Sequence, residues 1–296
     1  MNNALLVGND INNATSSYSW DDLLNGLIRF ARLEKIPNKS NKPFPLLYEE
    51  IYLNAAKSHK TEEIKLKDFI ASNTGKLEPN EIHHRIMGMD VQDILTTNYD
   101  LTFEKCIDPA LKNSSNQGYI RETLYSLFRV HQVESKRIWH IHGSELSPRS
   151  ITLGYEHYSG YLQQMRNYVA TGTKGTYKKE EFKPLAKRIA DGPLDHFSWV
   201  EFFFTHDIHI LGLNLDFVEM HLWWLLTYRA RAMVEKRFQV RNSLFYYLPE
   251  RFVKNSKHKL ELLEVNGVKC IPVSQRGSNK LDYYEKVLDR IQHINK

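Results

Sequence analysis

Short apolar runs alternate with amphipathic helical patterns along this chain, and four of the runs stop in small, polar turns. Residues 4–7 end at Gly8-Asn9-Asp10 and residues 93–97 at Asn98-Tyr99-Asp100. Residues 136–141 end at His142-Gly143, and residues 207–211 at Gly212-Leu213-Asn214-Leu215-Asp216. Parallel neighbours in a sheet need a long crossover between them, usually a helix, so strand–helix alternation predicts a parallel α/β sheet. Ligands of such sheets bind outside the carboxyl ends of the strands. All four turns are therefore expected to face one crevice.

The remaining pattern fills in that frame. Ser19-Trp20-Asp21-Asp22 reads as a helix start, with Ser19 as N-cap and two acids facing the positive end of the helix dipole. Leu23, Leu24, Leu27, Ile28 and Ala31 follow at helical spacing. Residues 44–87 read as further helices, with Ile51, Leu53, Ile64, Leu66, Phe69 and Ile70 suited to amphipathic packing. They predict a helical insertion or cap over 35–90. Later strands are expected at 123–130, 243–248 and 268–273, with an extended stretch at 151–153. Later helices are expected at 101–107, 155–170, 178–191, 196–204, 217–238, 254–265 and 280–294. No internal repeat and no Pro-, Gly- or Ser-rich linker divides the sequence. The reading is one Rossmann-like domain over 1–296, with a parallel sheet, helices on both faces and a helical insertion after the first strand. Residues 217–296 complete it.

Composition narrows the chemistry. The chain has 296 residues, 42% hydrophobic and 25% charged, an ordinary globular mixture. Its two cysteines, Cys106 and Cys270, cannot build a four-cysteine zinc site or a disulfide framework, and both read as small buried hydrophobes. A net charge of +5 suits an anionic small ligand. The basic stretches 174–188 and 229–241 read as solvated faces, so direct nucleic-acid binding is not expected. The N-terminus lacks the pattern of a signal peptide, and no run approaches the roughly 20 apolar residues of a membrane span. A cytoplasmic protein without membrane contact is the expectation.

Each polar turn has an ordinary structural reading: a tight turn at Gly8, an Asx turn or helix cap at Asn98, a core histidine at His142. Their convergence argues for a site. His140 and His142 lie two apart on a strand and share a face, but no third ligand accompanies them at a characteristic spacing, so no metal is expected. His83-His84 read as surface histidines, and His206 and His209 as edge positions. Trp223-Trp224 read as core or subunit packing. Tyr155, His157 and Tyr158 suit either the cleft wall or packing.

The order of these features resembles the Sir2-like proteins: strand–Gly8, Ser19-Trp20, Thr96-Thr97-Asn98-Tyr99-Asp100, His142-Gly143 and Gly212 to Asp216. The bacterial SIR2-like branch, NAD⁺-hydrolysing effectors of anti-phage defence, is the most similar, also at residues 151–162 (ITLGYEHYSGYL) and Leu222-Trp223-Trp224-Leu225-Leu226. The resemblance runs from residue 4 to about 226. It implies a fold that binds NAD⁺ as substrate and cleaves its nicotinamide–ribose bond. The family asparagine and histidine fall on Asn98 and His142, the acid of the Asn-x-Asp motif on Asp100 and the strand-end glycine on Gly8. Thr97, Gly212 and Asn214 fall among the nucleotide-contacting positions, and Asn9 and Asn12 fit the branch's Gly-Asn-x-Ile-Asn pattern.

The chemistry suits those residue types. Cleaving the N-glycosidic bond leaves positive charge on the ribose, and nicotinamide departs neutral. Histidine accepts a proton from water or a ribose hydroxyl. Asparagine, uncharged and both donor and acceptor, orients a water or hydroxyl without quenching the cation. Asp100 would hold the Asn98 loop or face the ribose, and the backbone after Gly8 would approach the pyrophosphate. The sequence departs from the family at Asp10, where a glycine is usual and an acid is unfavourable beside pyrophosphate unless it turns away. The structural zinc of Sir2 deacylases is not expected, and hydrolysis is favoured over deacylation. An unregulated NADase would be toxic, so activity is expected to await assembly into a homo-oligomer or a separate activator, such as an ATPase or a phage component. The helix at 217–238 is the candidate assembly surface. The rival reading is a non-catalytic NAD or ADP-ribose sensor, favoured by Asp10.

Overall fold

A computed structural model describes residues 2–15, 20–119, 124–175, 181–277 and 279–294. Seven strands form one sheet in the order β3-β4-β2-β1-β5-β6-β7. They are β1 (Asn3–Val7), β2 (Asp93–Thr96), β3 (Val130–Val133), β4 (Lys136–His140), β5 (Asp207–Leu211), β6 (Leu244–Pro249) and β7 (Val268–Val273). All neighbours are parallel except β3, which runs antiparallel to β4. The architecture is a Rossmann-like mixed sheet flanked by helices, with a helical insertion after the first strand. The chain builds outward from β1 through β2 to β4, then returns to place β5 on the other side of β1. That reversal between β1 and β5 is the topological switch point, where such sheets open a crevice.

Alternation along the strands fixes two apolar faces. Ala4 and Leu6 of β1 join Leu95, Trp139, Ile208, Ile210, Leu244 and Tyr246 on one side. Helices α6 (Tyr155–Arg166), α8 (Phe202–Thr205), α9 (Met220–Val234) and α10 (Lys257–Val265) cover this side. Leu5 and Val7 join Ile94, Ile138, Leu211 and Phe245 on the other, beneath α4 (Glu81–Met87), α5 (Thr102–Lys105) and α11 (Lys280–Ile294). A third core belongs to a lobe of α1 (Trp20–Phe30), α2 (Phe44–His59) and α3 (Glu63–Thr74), reached also by Tyr99, Ile151 and Leu153. The lobe thus starts before residue 35, and α4 belongs to the sheet rather than to the cap. A short α7 (Leu185–Asp191) completes the helices among the described residues.

Several expected boundaries shift. The strand predicted at 123–130 lies instead at Val130–Val133, as β3, and forms a hairpin with β4, the strand expected at 136–141. Val133 pairs with Lys136 across Glu134-Ser135, and Glu134 takes the positive φ of a tight hairpin turn. Residues 151–153 form no strand, and 217–219 precede α9 as irregular chain. The pattern at 155–170 divides into α6 and a π-turn at Asn167–Thr171, and that at 196–204 into a 3₁₀ turn and α8. Leu53 is exposed on α2 rather than packed. Ser19, residues 120–123 and residues 176–180 lie outside the described residues.

Gly8 serves this frame. A Cβ there would stand 2.4 Å from Gly212 O and 2.6 Å from Leu213 Cα, so the missing side chain makes room for the β5 turn rather than for a ligand. Gly8→Ala is expected to force the β1 and β5 ends apart and to destabilise the protein by about 1–3 kcal/mol, as overpacking does. Urea unfolding measures it; an unchanged midpoint would contradict this packing.

Candidate active site

At the carboxyl ends of β1, β2, β4 and β5 lies a cavity of about 900 Å³, roofed by Trp20, Leu23 and Phe44 of the lobe and by the approach to α9. Its volume falls within the roughly 300–1,000 Å³ of small-molecule sites. Asn9, Asn12, Thr97, Asn98, Asp100, His142, Gly212 and Asn214 all line it. Of the nine residues that the family resemblance places at the site, Gly8 alone does not line it.

The turn after β2 is fixed from below. Thr96 Oγ1 donates to Val7 O at 3.1 Å and accepts the Asn98 amide N–H at 3.0 Å. The Asn98 side chain is then held at the cavity wall, buried, with neither Oδ1 nor Nδ2 hydrogen-bonded to any described residue. Unpaired buried amides are costly and rare, so this one is free for a ligand. Asp100 is occupied instead. Its Oδ1 accepts from Thr102 N (3.2 Å) and Thr102 Oγ1 (2.6 Å), and its Oδ2 from Asn12 Nδ2 (2.8 Å). Asn12 also donates to Asn9 Oδ1 at 2.8 Å, and its own Oδ1 accepts from His83 Nε2 at 2.9 Å. Asn80 N donates to His83 Nδ1, which fixes the tautomer. Burial pushes the His83 imidazole down to about 4, keeping it neutral. His83 is thus a core residue that ties α4 to the first turn, not a surface histidine; its neighbour His84 is exposed.

His142 follows β4, and Gly143 turns the chain at φ +94°, where a Cβ would meet Ser150 O at 2.3 Å. Burial pushes the His142 imidazole down to about 3, so it is neutral, with its lone pair unprotonated. Its Nε2 faces His221 Nε2 at 3.0 Å and lies 3.4 Å from Glu219 Oε2. Burial pushes Glu219 up to about 8, with Asp216 adding to the effect, and holds His221 well below the usual histidine range. Tyr158 meets the His142 ring edge-on at 5.5 Å.

His140 does not share this site. Its Nε2 lies 2.8 Å from Glu104 Oε1, and its Nδ1 lies 3.3 Å from Asn98 O. His131 Nδ1 reaches the same Glu104 oxygen at 2.6 Å. The face shared along a strand does not extend past the end of β4, so His140 and His142 enter separate clusters.

The acid of the first turn lines the cavity but is held by α11. Asp10 accepts from Lys280 Nζ and from Tyr284 Oη of α11, each at 2.6 Å, so its charge is paired. Asn214 is partly engaged: Lys259 Nζ donates to its backbone O at 2.5 Å and its Oδ1 at 2.8 Å. Tyr155 and Tyr158 line the cavity, whereas His157 caps α6, accepting from Leu153 N and Gly154 N. Trp223 and Trp224 pack half-buried against the sheet core. His206 and His209 are buried rather than at an edge; His209 lies within central β5, 2.9 Å from Tyr247 Oη. Cys106 and Cys270 are half-buried, and burial pushes their thiols up to about 12 and about 11. Neither is a nucleophile near neutrality.

Sequence reasoning missed Glu104, His131, Glu219 and His221. The available signal was Glu219-Met220-His221 at the head of an apolar helix, where buried polar groups require partners. The SIR2-like domain family matches residues 92–183, roughly a third of the chain. That span holds Asn98, Asp100, Glu104 and His142 and leaves out the turns after β1 and β5. No curated protein matches the chain.

Proposed function

We propose that the cleft binds NAD and that the protein hydrolyses its nicotinamide–ribose bond. The observation that carries this reading is the free, buried amide of Asn98 on the same cavity wall as a neutral His142, at the switch point of the sheet. Within a SIR2-like stretch, that pair matches the requirements of the reaction. Asn98 orients the attacking water or a ribose hydroxyl beneath the anomeric carbon, and His142 accepts the proton it loses. Asp100 acts through Asn12 and the turn rather than on the ribose. Asn9, Asn12, Thr97 and the Gly212 to Asn214 turn carry the dinucleotide. Asp10, the residue that favours a non-catalytic sensor, lines the cavity with its charge paired to Lys280, which lessens its repulsion of a pyrophosphate.

The wider role belongs to the same proposal: a cytoplasmic NAD-depleting effector of bacterial anti-phage defence, held inactive until it assembles with its own copies or meets an activator. The test is incubation with NAD and measurement of nicotinamide. His142→Ala is expected to slow its release by about 10²–10⁴-fold, the usual contribution of a general base. Release that survives this substitution would remove the assigned role.

A further inference from the structure

We propose that His142, His221 and Glu219 form a site for a divalent transition metal in the cleft wall, zinc being the ion its donors suit best. The donors come from two elements, His142 from the turn after β4 and the other two from the head of α9. His142 Nε2 lies 3.0 Å from His221 Nε2 and 3.4 Å from Glu219 Oε2, and one ligand atom of each residue lies within 4.8 Å of the others. A tetrahedral ion bound at roughly 2.0–2.2 Å places its ligands about 3.3 Å apart, close to the two distances from His142; between the other two residues, His221 Nδ1 lies 4.0 Å from Glu219 Oε2.

As a hydrogen-bond network the trio is incomplete. Two facing Nε2 atoms share one proton at most, and Glu219 Oε2 is buried without a hydrogen-bond partner among the described residues. A dication would satisfy both imidazole lone pairs and the carboxylate at once. His142 and Glu219 line the cavity, so an ion has an approach, and two histidines with one carboxylate make the donor set of a known class of zinc site. The second trio also holds a buried carboxylate oxygen without a partner, Glu104 Oε2, but differs in its contacts and its place. Glu104, His131 and His140 are closed by direct contacts of 2.6 and 2.8 Å and lie off the cavity. An ion on His142 takes the lone pair assigned to proton transfer, so the metal would inhibit; that consequence alone rests on the function proposed above.

The experiment titrates the full chain, stripped with EDTA, with Co²⁺ while following visible d–d absorption. A saturable four-coordinate spectrum, bleached by Zn²⁺, is expected from the wild type. His221→Ala and the isosteric Glu219→Gln are each expected to weaken Co²⁺ by more than the roughly 10–100-fold that losing an outer-shell partner costs. Circular dichroism establishes that both variants fold. Absence of the spectrum, or Co²⁺ affinity in both variants equal to that of the wild type, overturns the site. In the nicotinamide assay Zn²⁺ is expected to inhibit the wild type and EDTA to restore it. A wild type that never turns over NAD defeats the proposed reaction, while the cobalt spectrum still decides the metal site.

Discussion

Asn98→Ala is expected to slow nicotinamide release from NAD by about 10²–10³-fold, the cost of losing one well-placed polar group, while leaving the fold as stable as before. Both halves follow from one observation. The amide makes no hydrogen bond to any described residue, so its removal strands no partner. An unsatisfied buried polar group costs about 1–3 kcal/mol, and its deletion offsets the small void left behind. Thermal unfolding is therefore expected to be unchanged or slightly later. Asp100→Ala is the informative contrast, because it releases Asn12 and both groups of Thr102 together and should lower activity and stability in parallel. If Asn98→Ala instead lost stability and kept its rate, the residue would be structural and the proposed mechanism wrong.

Glu104→Ala is expected to destabilise the protein by about 3–5 kcal/mol, the usual cost of stranding one partner of a buried ion pair. Burial alone would raise the Glu104 carboxyl, but the His140 and His131 imidazoles outweigh it and hold it at about 2. Burial likewise opposes the charge on His140, yet Glu104 prevails and raises it above the usual histidine value. The signs fix the pH window. The depressed Glu104 contributes stability above its unfolded value of about 4.3, lost as pH falls toward 2. The raised His140 contributes fully below its unfolded value of about 6.5, and that part is lost as pH rises through its folded value. The gap between wild type and Glu104→Ala should be widest between about pH 4.5 and 6.5 and should narrow on the alkaline side. Urea melts across pH 4–9 measure it; a gap independent of pH would show that the pair is not ionised. Because His140 also contacts Asn98 O, the substitution should lower activity as well.

The sheet was legible where a strand carries its own pattern between clear stops. The expected bounds of β5, β7 and α11 coincide with the observed ones. β3 was not, because a four-residue strand joined through Glu134-Ser135 lacks the Asn-Gly or Asp-Gly signal of a tight hairpin. In the cleft, Asn98, Asp100 and His142 were legible because strand ends are sites by topology. Their partners were not. His221 stands 79 residues from His142, and Asp10 finds Tyr284 across 274, distances over which no local spacing speaks. Gly8 illustrates the intermediate case: the need for glycine was visible, but its cause was a neighbouring strand rather than a phosphate.

The two borders of the sheet bear on how copies of this chain can associate. Beyond β3, Asn116 bridges to His131 and Gln117 N donates to Val130 O, so that border is already spoken for. At the far border, β7 carries Pro272, which has no N–H, and its carbonyl accepts from Arg290 of α11. Strand addition needs an uninterrupted ladder of donors and acceptors, and neither border provides one. A filament or ring of this protein would have to be built side by side through helical surfaces, each subunit keeping its own sheet, rather than by stitching sheets into a shared ribbon.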